Sequence, residues 1–271
     1  MREISFSPLT ALDVGPPHQI DFIADAGFAL TGLRLHPATA GGLAYPLKLN
    51  SSALRETQDR LQARGVQVLD IEVLLIDAKT DVHAFLPCIE AGAALGASRL
   101  GVNGEDPELG RFTEKFARLC DLAKPYGMAV DLEFMVWRPI CNLQTAEKIV
   151  RTAGRDNGKI LIDTLHLARS GGKLSDLHAL DPNLIGLMQI CDAPLSGPLP
   201  HETNAILAEA RFGRLPPLEG ELPLLDWMRA VTPSTPISVE VPMATSPRFV
   251  DALTRIQHIR KAGERCLQMA Q

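Results

Sequence analysis

The sequence predicts an α/β fold in which eight parallel strands, each followed by a helix, close into a (β/α)8 barrel. Eight short apolar runs alternate with about eight helical segments, and the composition does not change along the chain. Such alternation is typical of a parallel sheet with right-handed crossovers. The length of 271 residues is close to the roughly 250 residues of such barrels. We therefore expect one barrel domain over residues 1–271.

The alternative architecture is an open, doubly wound sheet. A sheet of that kind normally carries a glycine-rich phosphate loop after its first strand. This chain has Ser5-Phe6-Ser7-Pro8 at that point, so the barrel is favoured.

Apolar runs and capping residues predict the individual elements. Short apolar runs indicate buried strands, which we place at residues 3–6, 30–35, 66–76, 99–102, 129–134, 160–163, 185–190 and 236–241. Glycine after a helical pattern marks a helix end, and the predicted helices cover residues 18–27, 50–64, 81–95, 107–126, 143–153, 173–180, 223–231 and 246–268. Residues 191–223 form the longest predicted loop, and loops of such length are usually functional or disordered.

Composition narrows the class of protein. Hydrophobic residues make up 46% of the chain, the net charge is −5, and no basic run stands out. Nucleic-acid binding needs a basic footprint, so we expect a small-molecule substrate and no nucleic-acid partner. No leader and no stretch of about 20 apolar residues is evident, so we expect no membrane partner. Five scattered cysteines indicate reduced thiols and a cytoplasmic protein. A homo-oligomer is a further expectation.

Four predicted strands, the fifth to the eighth, end in an oxygen-bearing side chain. These side chains belong to Glu133, Asp163, Gln189 and Glu240. All strands of a barrel open on one face at their carboxyl ends, so the four should meet there. Three carboxylates in one mouth repel each other and need a cation. Carboxylate and amide oxygens suit Mg²⁺ or Mn²⁺, whereas the absence of histidine makes Zn²⁺ or Co²⁺ a poorer match.

Other strand ends and the long loop supply candidates for substrate binding. They are His36, Glu72, Asn103, His166, Arg211 and Arg214. Plainer interpretations exist: any one acid of the four-residue set, taken alone, is most often a helix cap or a loop salt bridge, and Glu72 could be a solvated strand end. His166 would be either a pocket residue or a hydrogen-bonding partner of a metal ligand. The two arginines would be either a clamp for an anionic substrate or ordinary loop charges.

Several motifs resemble the xylose isomerase-like barrel superfamily of sugar isomerases, epimerases and related lyases. The resemblance covers nearly the whole chain and rests on Leu132-Glu133-Phe134, Asp163-Thr-Leu-His166, Gln189-Ile-Cys-Asp-Ala-Pro194, Arg214-Leu-Pro-Pro-Leu-Glu-Gly-Glu-Leu222 and Val239-Glu240-Val241. It implies that Glu133, Asp163 and Glu240 bind one divalent ion, with Gln189 where a histidine is usual. Leu218 stands where the family's Arg-x-x-Pro-Gly-x-Gly loop has glycine.

The resemblance also implies a reaction. Glu133 and Glu240 would exchange a proton next to the carbonyl of a sugar-like polyhydroxy compound, as in a metal-dependent isomerase or epimerase. Gln189 and the following Asp-Ala-Pro are similar to the 3-dehydroshikimate dehydratase branch, so a lyase is the alternative. A non-catalytic barrel should have lost at least one carboxylate, and an endonuclease of the superfamily needs more metal-binding histidines.

Overall fold

Eight parallel strands form a closed barrel in the computed structural model, which describes residues 3–39, 41–199, 201–242 and 251–271. The strands are β1 (Ile4–Phe6), β2 (Leu30–Leu33), β3 (Gln67–Ile76), β4 (Arg99–Gly104), β5 (Ala129–Glu133), β6 (Gly158–Asp163), β7 (Ile185–Ile190) and β8 (Ile237–Val239). Each strand pairs with the next, and β8 pairs with β1 to close the ring. The predicted barrel is confirmed, and the open sheet is excluded.

Helices cover the outside of the barrel. They are α1 (His18–Asp25), α2 (Ser52–Arg64), α3 (Leu86–Ala94), α4 (Leu109–Ala123), α5 (Leu143–Ala153), α6 (Thr164–Arg169), α7 (Leu174–Ala179), α8 (Thr203–Ala208), α9 (Leu224–Ala230) and α10 (Ala252–Ala270). The predicted last helix begins in residues 243–250, which lie outside the described residues. No helix in the described ranges is both long enough and apolar enough to cross a membrane.

Two short helices were not predicted. Helix α6 follows β6 directly, and Asp163 caps it by accepting the backbone N–H of His166 at 3.0 Å. Its first four residues are all buried. The segment therefore lacks the alternation of polar and apolar faces from which a helix is predicted. Helix α8 and the π-helical turn Glu209–Gly213 lie inside residues 191–223. The predicted loop therefore contains helical segments that were not predicted, because α8 has only Ile206 buried and shows no apolar stripe.

Several polar side chains face the interior of the barrel, whereas the layer between strands and helices is apolar. Branched apolar side chains usually fill a barrel of this type. Four buried polar residues depart from this pattern: Ser5, Asp70, Asp131 and Ser238. Each lies two residues before a polar residue of the barrel mouth. Because side chains alternate along a strand, all four face the inside of the barrel. Arg99 donates two hydrogen bonds of 2.6 Å to Asp131. Burial raises the pKa of Asp70 well above its ordinary value, and the negative charges of Glu72 and Asp131 add to the effect.

Candidate functional site

The four side chains predicted to bind a metal lie buried at the carboxyl ends of β5 to β8. Glu133 and Asp163 are the last residues of β5 and β6, and Asp163 is in register with Gln189 of β7. Glu240 directly follows β8, where its N–H donates to Ile190 O at 3.1 Å. None of the four is more than 7% exposed, so each carboxylate needs a partner.

Arg214 is the cationic partner of two of these carboxylates. Its Nη1 lies 2.5 Å from Asp163 Oδ2 and its Nη2 lies 3.2 Å from Glu240 Oε2. Its Nε donates to Ala210 O at 2.9 Å, which ties the guanidinium to the π-helical turn. The side chain is 2% exposed, so this cation belongs to the site and not to the surface of the loop.

Glu133 has neutral partners instead. In the orientation that satisfies its hydrogen bonds, the Asn103 amide nitrogen donates to Glu133 Oε2 at 2.8 Å. His166 Nε2 lies 3.6 Å from Glu133 Oε1 and 3.5 Å from Arg214 Nη2. The ring of Trp137 packs edge-on against His166, with 5.1 Å between centroids. The structure thus brings Asn103 and His166 to the carboxylates.

Glu72 lies within β3, where the register with β4 shifts between Ile71 and Leu74. Its Oε1 accepts hydrogen bonds of 3.2 Å from Ser7 Oγ and from Arg34 Nη2. Its Oε2 accepts a third, also of 3.2 Å, from Gln189 Nε2. Ser7 Oγ is also 2.7 Å from Glu240 Oε1. Glu72 is therefore joined to two of the four predicted metal ligands.

The acids of the site differ in proton affinity. Burial, together with Glu240 and Asp163, raises the pKa of Glu133 well above its ordinary value. Burial also raises the pKa of Glu240 to about 7, because Glu72 and Asp163 add to it and Arg214 only partly offsets them. Burial alone would raise the pKa of Asp163, but Arg214 and His166 outweigh it and the pKa is lowered. Burial lowers the pKa of His166 to about 4, so the imidazole is neutral at pH 7.

Two predicted substrate-binding residues lie farther out. Arg211 is exposed in the π-helical turn, and no contact in the described part of the chain joins it to the buried carboxylates. His36 is half-buried on the loop after β2, where its Nδ1 is 3.0 Å from Pro37 O and its ring meets Phe85 edge-on. The structure does not bring either residue into the carboxylate cluster.

Three residues of the site were not among the candidates. Ser7 and Arg34 directly follow β1 and β2, so the same strand-end argument that selected Glu133 would have found them. Trp137 lies in the loop after β5, where no pattern distinguishes it from other loop residues. Its place in the site is visible only because the loop turns back onto His166.

The loop that delivers Arg214 is held by Asp192. This buried carboxylate accepts the backbone N–H groups of Ala193, Leu218 and Leu222 at 2.8, 3.0 and 3.0 Å. Leu218 has φ of +70°, the left-handed conformation that glycine adopts without strain. The loop thus keeps at Leu218 the backbone conformation that a glycine would allow.

The donor set fits a divalent cation on three observations. Single ligand atoms of two of the predicted ligands, Glu133 and Asp163, lie within 4.8 Å of each other, and a ring nitrogen of His166, which is outside the predicted set, is equally near. The amide nitrogen of Gln189 is used by Glu72, which leaves its oxygen as a hard ligand. Four buried carboxylates (Glu72, Glu133, Asp163, Glu240) face two buried guanidinium groups (Arg34, Arg214). Fully ionised, this cluster carries a charge of −2, which a divalent ion would neutralise.

Comparison with known proteins agrees with the barrel fold. A family model described as xylose isomerase-like TIM barrel matches residues 20–262. The inosose isomerase of Halalkalibacterium halodurans is 38% identical over 77 residues, which is 27% of each chain, so the match spans about a quarter of that relative. The IolI protein, solved with a bound zinc atom, superposes with a TM-score of 0.81 at 19% identity over 98% of each chain. The probable 3-DHS dehydratase AsbF of Bacillus anthracis superposes with a TM-score of 0.71 at 14% identity, over 97% of this chain and 98% of AsbF.

Proposed function

The chain belongs to the xylose isomerase-like TIM barrel family, and on that premise we propose that it is a divalent-metal-dependent isomerase or epimerase. Its substrate would be a sugar or a sugar-like polyhydroxy ketone, of which inosose is one example. The single observation that carries the proposal is the pair Glu133 and Glu240. Both are buried carboxyls at one barrel mouth, and both have a raised pKa.

The pair suits proton transfer at carbon. General acid–base catalysis works best when the pKa of the group lies near the working pH, and the pKa of Glu240 is about 7. Glu133 and Glu240 come from β5 and from the end of β8, with Asp163 and Gln189 on the strands between them. One carboxylate would remove the proton next to the carbonyl, and the other would return a proton from its own side.

The metal would be held by Glu133, Asp163, Gln189 and Glu240. When bound, the ion would act as a Lewis acid that polarises the substrate carbonyl. Three carboxylates and one amide oxygen are hard ligands, which favours Mn²⁺ or Mg²⁺ over Zn²⁺ or Co²⁺.

The remaining residues would bind and orient the substrate. His166 is neutral and its Nδ1 is buried without a partner in the described residues, so a substrate hydroxyl would supply the missing hydrogen bond. Arg214 would orient an oxygen-bearing end of the substrate. Asn103 would hold the Glu133 carboxylate in place. His36 would contribute only from the rim, whereas Arg211, exposed in the π-helical turn, would take no part in turnover. Cytoplasmic location, one domain and a homo-oligomer stay predictions from the sequence.

A lyase of the 3-dehydroshikimate dehydratase type is the second candidate. Gln189 and the tripeptide Asp192-Ala193-Pro194 favour it, as does the buried Arg214, which could pair with a substrate carboxylate. The two candidates share proton removal next to a carbonyl. They differ in whether a hydroxyl then leaves.

One assay separates the candidates. The purified chain is stripped with a chelator, reloaded with Mn²⁺, and offered inosose, ketoses and 3-dehydroshikimate. Interconversion of a polyhydroxy ketone supports the isomerase, whereas an ultraviolet-absorbing aromatic product supports the lyase. The exposed Arg211→Met variant, purified and reloaded with metal in the same way, is the control for losses of activity caused by the procedure. Turnover that is unchanged after metal removal would contradict both candidates.

A further inference from the structure

Glu72 uses both of its oxygens on other side chains. Ser7 and Arg34 donate to Oε1, and Gln189 donates to Oε2, all at 3.2 Å. The residue is 4% exposed. A carboxylate engaged in this way has little capacity left for a substrate hydroxyl, so the sequence-based role of substrate binding does not describe it well.

The bond to Gln189 crosses the barrel. Glu72 is on β3 and Gln189 is on β7, and three strands lie between them in either direction around the closed ring of eight. No neighbouring-strand contact requires these side chains to meet. Their contact therefore depends on the length of both side chains, which meet at 3.2 Å across the barrel.

Only one orientation of the Gln189 amide satisfies this contact. An ionised carboxylate accepts hydrogen bonds and donates none. If the amide were rotated by half a turn, Gln189 Oε1 would face Glu72 Oε2 and two oxygens would repel each other. Arg34 strengthens the preference, because its guanidinium lies 3.2 Å from Glu72 Oε1 and leaves Oε2 as the acceptor that faces Gln189.

We propose that Glu72 is a positioning residue that orients the Gln189 amide, so that its oxygen and not its NH₂ group faces the metal. This inference rests on the proposed function, since it concerns the ligand set of the same site. It makes Gln189 a hard oxygen ligand by means of a residue that does not itself contact the ion. Partners of metal ligands at this distance typically contribute about 10- to 100-fold to metal affinity.

Two substitutions of equal charge isolate the effect. Glu72→Gln and Glu72→Leu both remove one negative charge and both deprive Arg34 of its ion pair. They differ in what they offer to Gln189. In Glu72→Gln, the new amide oxygen turns toward Arg34 and Ser7, because those donors are already in place. Its NH₂ group then faces Gln189 and attracts the Gln189 oxygen away from the metal.

The measurement is calorimetric titration of the metal-free protein with Mn²⁺. We expect both variants to bind Mn²⁺ more weakly than the wild type, and Glu72→Gln to be weaker than Glu72→Leu by about tenfold. A symmetric carboxylate at position 189 has no orientation to lose. In the Gln189→Glu background the two Glu72 variants should therefore bind Mn²⁺ equally well.

Equal affinities of Glu72→Gln and Glu72→Leu in the Gln189 background would overturn the inference while leaving the metal site intact. A wild-type protein that binds no Mn²⁺ would overturn the proposed function and this inference together. If Glu72→Leu does not fold, hydrogen exchange of the Gln189 side-chain amide in the wild type decides the matter. Slow exchange supports the bond to Glu72, and exchange at the rate of a free amide contradicts it.

Discussion

Arg214 Nη1 lies 2.5 Å from Asp163 Oδ2, so the guanidinium forms an ion pair with a carboxylate that is also predicted to bind a metal. The same guanidinium reaches Glu240 at 3.2 Å. It supplies part of the positive charge that the acidic cluster needs. A divalent ion bound by Asp163 and Glu240 would therefore share its ligands with a resident cation.

Arg214→Met should raise the affinity of the metal-free protein for Mn²⁺ by about tenfold, because a buried positive charge next to the ion is removed. Calorimetry at about pH 8 limits competition from a proton on Glu240, whose pKa is about 7. Arg211→Met, three residues away and exposed, should leave the affinity unchanged. Weaker Mn²⁺ binding by Arg214→Met would show instead that Arg214 holds the ligands in place.

Gln189→His should raise the affinity for Zn²⁺ relative to Mn²⁺, because imidazole nitrogen is a better ligand for Zn²⁺ than an amide oxygen is. The fold should persist, since the hydrogen bond lost to Glu72 is one of the three that Glu72 accepts. A competition titration of the two metals measures the ratio. Gln62→His, at an exposed position of α2, controls for an added histidine. An unchanged ratio would mean that Gln189 does not touch the metal.

The pH dependence of stability tests the charge of the cluster. The folded pKa of Glu240 is about 7, above its ordinary 4.5, so the folded state holds a proton that the unfolded state has lost. This stabilisation is fully present below about pH 4.5 and is lost as the pH rises through about 7. His166, whose pKa is about 4, acts in the opposite direction between about pH 4 and its ordinary 6.5, and near pH 6.5 it offsets part of the Glu240 effect.

Between about pH 6.5 and pH 8, the metal-free protein should therefore lose about 1 kcal/mol of unfolding free energy through Glu240. Urea denaturation at the two pH values measures the loss. Glu240→Gln cannot titrate, so its stability should fall less over the same range, and saturating Mg²⁺ should reduce the loss in the wild type. A wild type and a Glu240→Gln variant with identical pH slopes would refute this assignment.

Much of the site could be predicted because a parallel barrel collects the ends of its strands at one face. That rule alone selected Glu133, Asp163, Gln189 and Glu240, and the structure places all four there. The same rule extends to Ser7 and Arg34, which directly follow β1 and β2 but were not selected as candidates. Asn103 and His166 also lie against these carboxylates.

Contacts across the barrel or between loops could not be predicted. The bond from Gln189 to Glu72 depends on side-chain length across the interior, which no periodicity encodes. The sequence does not distinguish Arg211 from Arg214, since both are arginines of the same predicted loop. Only Arg214 points inward, because the π-helical turn and Asp192 set the direction of the loop. Helix α6 is too short and too completely buried to show an amphipathic period.

Exchange of the substrate's carbon-bound hydrogen with solvent tests the central claim most directly. The Mn²⁺-loaded protein is incubated with inosose in deuterium oxide, and the carbon next to the carbonyl is followed by NMR. The account predicts that the wild type exchanges this hydrogen, that Glu133→Gln and Glu240→Gln slow the exchange by about 100-fold or more, and that Arg211→Met matches the wild type. Exchange that survives in both glutamine variants would contradict the assignment of these two carboxylates as the groups that move the proton.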